Sequence, residues 1–141
     1  MEIKTSKSGY ASADEVEAAF YDAFGRCDLE AMQTLWADRD AVCVHPGAEP
    51  VVGHEAVVRS WGMIFKGAES PEVRINVMRR IGCEDMAVHI LEEHIRSPGA
   101  AGQEAVVFVT NVYRRDDRGW LMVEHHASLI PLRRERGRTL Q

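Results

Sequence analysis

A histidine lies at the end of a short apolar segment, in the sequence Cys43-Val44-His45-Pro46-Gly47. The Pro-Gly pair predicts a turn directly after it, so the imidazole of His45 is expected at a strand end, where it can face a pocket. Imidazole has an unperturbed pKa of about 6.5 and can accept a proton at neutral pH. His45 is therefore a candidate general base. The alternative is a histidine that is satisfied by backbone groups of the turn and meets no substrate.

Two more histidines are adjacent near the C-terminal end of the chain. Successive residues of a strand point to opposite faces, so His125 and His126 are predicted to lie on opposite sides of a sheet. Apolar residues of the same parity favour His125 as the inward one; they are Leu121, Val123, Ala127 and Leu129. The alternative for His125 is a core histidine with one hydrogen-bond partner. His126, with Met122 and Glu124, is expected to face a dimer partner or solvent.

An asparagine interrupts an apolar strand face formed by Val107, Val109 and Tyr113. A buried amide must find partners, because leaving it unpaired costs roughly 1–3 kcal/mol. For Asn111 the partner could be His125, a water or a ligand. The register of the hairpin decides between these, and a slip of one residue would reverse the answer. Together, His45, His125 and Asn111 are the candidate catalytic residues.

Glu92, Glu93 and His94 form a polar group on another predicted strand, where one carboxylate must point inward if its neighbour points outward. The inward carboxylate could form an acid/base dyad with a histidine, although a salt bridge at the sheet rim or at a dimer interface is the commoner arrangement. Large side chains on helix and strand faces are expected to line the cavity. The predicted ligand-binding residues are Phe20, Phe24, Trp36, Trp61, Val109 and Tyr113.

The composition of the chain limits which kinds of partner, cofactor and cellular location are expected. A chain of 141 residues predicts one domain, and its net charge of −5 argues against a nucleic-acid partner. The six histidines show no H-x-H, H-E-x-x-H or Cys/His spacing, so we expect neither a metal site nor a cofactor. The three cysteines are expected to be reduced. The apolar runs are too short to cross a membrane, and no signal-peptide core is present, so a cytoplasmic location is expected.

The elements that position these side chains can be read from periodicity and turn signals. Ser12 and Glu15 form a capping box that begins a first helix, Asp28 caps a second, and Gly53 begins a third. Two short strands, 41–44 and 50–52, precede the third helix. After Pro71 the pattern alternates, which predicts four strands joined by short turns. We expect an ordered domain over 12–130, with a disordered extension over 1–11 and a flexible basic tail over 131–141.

This order of elements resembles the nuclear transport factor 2-like fold, and more specifically the SnoaL-like and ketosteroid isomerase-like proteins. The resemblance rests on DLEAMQTLWADRDAVCVHPG, GHEAVVRSW, TNVYRR followed by GW, and the terminal HHAS, and it covers roughly residues 13 to 130. It implies an α+β class: a cone-shaped α+β barrel with three N-terminal helices packed on a curved antiparallel sheet. Members include isomerases, cyclases, dehydratases and ligand-binding modules, so the fold leaves the function open.

The catalytic residues of ketosteroid isomerases carry over only in part. The position of their general base matches His45, whereas the position of their oxyanion-hole tyrosine falls on Phe20, which has no hydrogen-bond donor. Tyr21 is next to it but is expected to point about 100° away. The late-strand aspartic acid has no clear counterpart, although Thr110 and Asn111 lie nearby in sequence. Steroid isomerisation in its known form is therefore not expected.

Two functions follow as predictions. The first is binding of a small apolar or carbonyl-containing compound in a cavity between helices and sheet. The alternative is an isomerase, cyclase or dehydratase in which His45 acts as general acid/base on a carbonyl substrate. In both cases we expect a homodimer through the outer sheet face, where Val106, Phe108 and Val112 would otherwise meet water. Neither nucleic acid nor a membrane is expected as a partner.

Overall fold

The computed structural model describes residues 9–67, 69–99 and 103–130. The predicted order of helices and strands is confirmed. The helices are α1 (Ala13–Arg26), α2 (Leu29–Leu35) and α3 (His54–Lys66), and two short strands, β1 (Val42–Val44) and β2 (Val51–Val52), separate α2 from α3. The long strands are β3 (Glu72–Gly82), β4 (Met86–Arg96), β5 (Ala105–Asp116) and β6 (Gly119–Leu129). None of the helices described is long and apolar enough to span a bilayer.

Local sequence signals explain where the first helices begin and end. The Ser12 side chain accepts a hydrogen bond from the backbone N–H of Glu15, and Asp28 accepts one from Ala31 in the same way. Helix α1 ends at Cys27, whose left-handed backbone (φ 52°) directs its N–H back to carbonyls of the last turn. These caps hold α1 and α2 at a fixed angle over the sheet, with Phe20 and Met32 fully buried between them and the strands.

The sheet has the strand order β2-β1-β6-β5-β4-β3, with the antiparallel meander from β3 to β6 that the sequence predicts. It is curved and does not close, and the helices cover its concave face, which makes the α+β cone. One pair departs from the all-antiparallel prediction, because β1 runs parallel to β6. This pairing places Cys43 opposite His125, so the strand end at His45 lies beside the inward histidine of β6.

A β-bulge between β5 and β6 corrects the predicted parity of β6. Asn111 lies opposite His125, but the register shifts after Val112, and Tyr113 then lies opposite Met122. The additional residue is Val123 of β6, and it reverses which face the side chains before it in that strand occupy. Met122, predicted to point outward, is therefore buried in the main core, whereas Leu121 and Val123 pack in a separate cluster with Ala37.

Residues 9 and 10, just before α1, are bonded to the sheet. Tyr10 forms a two-way backbone bridge with Trp120, donating to its carbonyl over 3.0 Å and accepting from its N–H over 2.9 Å. The backbone bonds of residues 9 and 10 are thus satisfied by the β5–β6 turn, which corrects the predicted extension over 1–11 at its C-terminal end. The rest of that extension (1–8) and the predicted basic tail (131–141) lie outside the described residues.

Candidate functional site

The two inward polar residues of β5 and β6 are hydrogen-bonded to each other. His125 Nδ1 lies 2.7 Å from Asn111 Oδ1, and both side chains are buried. Of the partners considered for Asn111, the structure therefore brings it to His125, because the two residues are direct neighbours across the hairpin. His126, the other histidine of the pair, is exposed on the outer face as predicted.

The hydrogen bonds continue to a tyrosine and a glutamate. Asn111 Nδ2 donates to Tyr21 Oη over 3.1 Å, and Tyr21 donates its hydroxyl proton to Glu93 Oε2 over 2.7 Å. We call this sequence of Glu93, Tyr21, Asn111 and His125 the polar chain. The amide nitrogen of Asn111 donates to Tyr21, so the amide oxygen is the atom that faces His125. An amide oxygen can only accept, and the proton in this bond must therefore come from Nδ1–H of His125. The Nε2 atom of His125 therefore carries a lone pair, and it has no hydrogen-bond partner among the described residues.

Burial shifts the acidities along the polar chain. It raises the pKa of Glu93 to about 7, although the hydrogen bond from Tyr21 opposes this shift. It lowers the pKa of His125 to about 3, with smaller electrostatic contributions from His45 and His126. The pKa of Tyr21 is raised by burial and then by the charge of Glu93. At neutral pH His125 is consequently a neutral hydrogen-bond acceptor.

His45 is held by a neighbouring helix. Its Nε2 lies 2.9 Å from Ser60 Oγ, and the Ser60 hydroxyl donates to the carbonyl of Val57 over 2.7 Å. Because that proton is already committed, Nε2 of His45 must be the donor to Ser60, which leaves the lone pair on Nδ1. The ring is half-buried, and this burial lowers its pKa. His45 is therefore unprotonated at neutral pH.

Aromatic side chains join the two histidines. The Phe20 ring centroid lies 4.9 Å from that of His125 and 5.5 Å from that of Trp61. Trp61 in turn contacts both histidine rings, at 4.9 Å from His45 and 5.7 Å from His125. His45 and His125 therefore both contact one indole, and no hydrogen bond joins the two imidazoles.

The predicted lining residues fall into two groups. Phe20, Phe24, Trp36 and Trp61 form one aromatic cluster with the histidines. Val109 lies elsewhere, in an apolar cluster with Leu91, Val107 and Ala127. Tyr113 packs against His89, with ring centroids 4.7 Å apart. Tyr113 also belongs to the same core cluster as Phe20, Trp36 and Trp61, so Val109 alone of the predicted lining residues lies apart from that cluster.

The polar chain contains two residues for which the sequence prediction was incomplete. Tyr21 was expected to point away, yet α1 packs across the sheet and the Tyr21 hydroxyl meets Glu93 of β4 and Asn111 of β5. The inward direction of Glu93 could be predicted from the alternation of β4, because Glu93 lies two residues after the buried Leu91 and so points to the same face. Glu92 points outward as the alternation requires, where it contacts His94 at 3.0 Å.

The family model described as the SnoaL-like domain matches residues 14–133. The chain belongs to the SnoaL-like family. The match begins in α1 and includes every helix and strand of the structure, so the polar chain and His45 both lie within the family domain.

Two solved structures share both sequence and fold with this SnoaL-like protein. A proposed calcium/calmodulin-dependent protein kinase type II association domain from Thiobacillus denitrificans is 33% identical, with a TM-score of 0.80 over 86% of this chain and 97% of the other. A proposed dehydratase of the NTF2-like family from Streptomyces avermitilis is 31% identical, with a TM-score of 0.76 over 84% and 94% of the two chains.

More distant relatives extend the comparison. A ketosteroid isomerase-like protein from Erwinia carotovora atroseptica has a TM-score of 0.71 at 18% identity, over 84% of this chain and 94% of that one, and so shares the fold. Among curated proteins, F-box protein SKIP8 of Arabidopsis thaliana is 27% identical over 116 residues, which are 82% of this chain and 48% of that protein. The SnoaL-like chain thus spans about half the length of this curated relative.

Proposed function

We propose that this SnoaL-like protein binds a small, largely apolar compound between its helices and its sheet, with a donor group of the ligand on Nε2 of His125. The main support is the polar chain, which fixes the tautomer of His125 and leaves one unpaired acceptor. Aromatic rings surround that acceptor, so a ligand with an apolar body and one hydroxyl or N–H donor matches the chemistry.

Access to His125 depends on side chains that are only partly buried. His125 and Trp61 are each 2% exposed, while the rings of Phe24, Phe65 and His45 around Trp61 are half-buried. Side chains at that depth change rotamer more easily than core residues, because fewer neighbours confine them. The ligand is therefore expected to reach His125 by displacing Phe24 and Phe65.

Two matched probes test the binding mode. 2-Naphthol has an apolar ring system and a hydroxyl donor, whereas 2-methoxynaphthalene has the same rings without the donor. One hydrogen bond to a neutral acceptor contributes about 0.5–1.5 kcal/mol, so 2-naphthol should bind roughly 3- to 10-fold more tightly. His125→Leu should remove that preference, and His126→Leu, on the outer face, should retain it. Equal affinities of the wild type for both probes would contradict the proposal.

The alternative is an enzyme in which His45 transfers a proton on a carbonyl compound. Its support is the Nδ1 lone pair of His45, whose contact among the described residues is the Cys43 thiol at 4.0 Å, and the lowered pKa of the ring, which keeps it in its basic form. The 31% identity to a proposed dehydratase also supports an enzymatic function. In this reaction His45 would remove a proton next to the carbonyl, and a ligand oxygen would take the developing charge.

Deuterium uptake at the α-carbon of 1-tetralone, followed by NMR, tests this alternative. General-base catalysis contributes on the order of 10²- to 10⁴-fold, so His45→Ala should lose at least 100-fold of any catalysed exchange. His54→Ala is the matched control, since His54 is also half-buried but contacts only the Gln33 carbonyl. Equal exchange rates in the wild type and His45→Ala would exclude His45 from the chemistry.

We further propose that two copies associate through the outer sheet face. Phe108 is 41% exposed and Met78 is 53% exposed on this face, and both line a groove of about 360 Å³ with Ile90 and His126. Size-exclusion chromatography with light scattering should give twice the chain mass of 15.8 kDa for the wild type. Phe108→Lys should give the monomer, and Met63→Lys, at an exposed apolar residue of α3, should not. A monomeric wild type would refute the association.

A further inference from the structure

A second group of titratable side chains lies apart from the polar chain. Asp14 and Glu17 are one turn apart on α1 and face the same side of the helix. Opposite them, His89 projects from β4, and Arg80 from β3 lies beside His89 in the register of the two strands. We call Asp14, Glu17 and His89 the acid–histidine cluster. Each of these residues offers one potential ligand atom, and the three atoms lie within 4.8 Å of one another.

The ion pairs of the cluster leave buried polar atoms without a partner. Arg80 Nη2 contacts Glu17 Oε1 at 2.7 Å, and Arg80 Nε lies 3.4 Å from Asp14 Oδ1. Glu17 and His89 are 3% and 2% exposed, yet Glu17 Oε2 and His89 Nδ1 make no hydrogen bond. Buried polar atoms in native proteins nearly always have a partner, and an unpaired one costs roughly 1–3 kcal/mol. These two atoms therefore require a partner that the described residues do not supply.

Charge and geometry favour a divalent cation as that species. Two carboxylates carry a charge of −2, of which Arg80 balances only one unit. His89 Nε2 lies 3.6 Å from Asp14 Oδ1, and His89 Nδ1 lies 3.5 Å from Glu17 Oε1. One ion can bind only one of these two nitrogens, and with one ligand atom from each residue the three atoms lie within 4.8 Å of one another, so the exposed Asp14 must move closer to complete the site. Ligand atoms of one tetrahedral zinc ion are about 3.4 Å apart, given bond lengths of roughly 2.0–2.2 Å. Nitrogen and oxygen donors in this combination suit zinc and similar transition-metal ions.

We propose that Asp14, Glu17 and His89 bind a divalent transition-metal ion of the zinc type, which displaces the guanidinium of Arg80. Glu17 and His89 are fixed by burial, whereas Asp14 is 67% exposed and can rotate to complete the site. Arg80 is 46% exposed and follows the β-bulge after Val77, so its side chain can move into solvent. The ion would neutralise both carboxylates and give the unpaired oxygen and nitrogen of the cluster a partner.

The experiment is calorimetric titration of Zn²⁺ into protein that has been freed of metal with a chelator. Cys83→Ser serves as the background, because the exposed thiol of Cys83 is a competing zinc ligand. One ion should bind per chain. Asp14→Asn should weaken binding by at least the 10- to 100-fold that is typical of losing even an outer-shell contact. Arg80→Gln should tighten it, because the competing cation is gone.

His94→Gln is the matched control, since His94 also lies between two carboxylates, Glu92 and Glu104, but on the outer face. It should leave the zinc affinity unchanged. His89→Gln should abolish the visible absorption of a bound Co²⁺ ion. If this substitution of a buried residue prevents folding, the exposed substitution Asp14→Asn still tests the site. The proposal would be overturned if the protein bound no zinc, or if Arg80→Gln bound it more weakly than the background protein. It would also be overturned if His94→Gln lost binding while Asp14→Asn retained it.

Discussion

Replacing Glu93 by glutamine tests the electrostatics of the polar chain most directly. The carboxyl group is 2% exposed, and burial raises its pKa from 4.5 in the unfolded chain to about 7. Between these values the folded protein holds a proton that the unfolded chain has released. Glu93 should therefore contribute a fall in the free energy of unfolding as the pH rises through this interval. Each pH unit contributes about 1.4 kcal/mol, which gives about 3 kcal/mol in total.

Glutamine has nearly the same shape and can still accept the hydroxyl of Tyr21, but it does not titrate. Urea unfolding followed by tryptophan fluorescence between pH 4.5 and 8 should show the variant gaining about 3 kcal/mol relative to the wild type, with no further gain above pH 7.5. The difference between the two proteins isolates Glu93, because the opposing titration of His125 is common to both. Glu92→Gln, on the outer face of the same strand, is the control for removing a carboxyl group without touching the polar chain. Parallel profiles for Glu93→Gln would refute the raised pKa.

Three further outcomes are expected. Tyr21→Phe removes the hydrogen bond that lowers the pKa of Glu93, so a carbon-13 NMR titration should find this carboxyl ionising above pH 7; an unchanged titration would contradict the bond. His125→Leu leaves the Asn111 oxygen unpaired and should cost roughly 1–3 kcal/mol of unfolding free energy at pH 7.5. That cost should shrink between pH 6.5 and 3, where the unfolded wild type gains a proton that the folded protein does not bind. Phe20→Ala should cost about 3–5 kcal/mol in urea unfolding, because it empties the centre of the aromatic cluster.

The fold could be predicted from sequence because most of its signals are local. The caps at Ser12 and Asp28 depend on residues within one turn, and the alternation of β4 depends on near neighbours. The parallel pairing of β1 with β6 could not be predicted, since its partners are about 80 residues apart in the chain. The bulge after Val112 likewise depends on how two strands twist together over the helices, and it changed the faces of Leu121 and Met122.

Some members of the candidate site could be predicted from the sequence, whereas Tyr21 and the hydrogen bonds that join the members could not. The inward direction of Asn111 and His125 follows from strand parity, and the structure supplied the register that joins them. Tyr21 required the position of α1 over the sheet, because a helix period alone directs it away from Phe20. The acid–histidine cluster had no metal-ligand spacing at all, since Glu17 and His89 come from distant segments.

The sequence by itself determined the secondary structure, the family resemblance and the apolar faces, because these arise from residue types and from contacts within a few positions. The tertiary structure decided the tautomer and protonation of His45 and His125. It did so by setting which polar atoms meet at 2.7 Å and which are removed from water. The acidity of Glu93 and the basicity of His45 are properties of those surroundings, because burial penalises charge by an amount that no local pattern specifies.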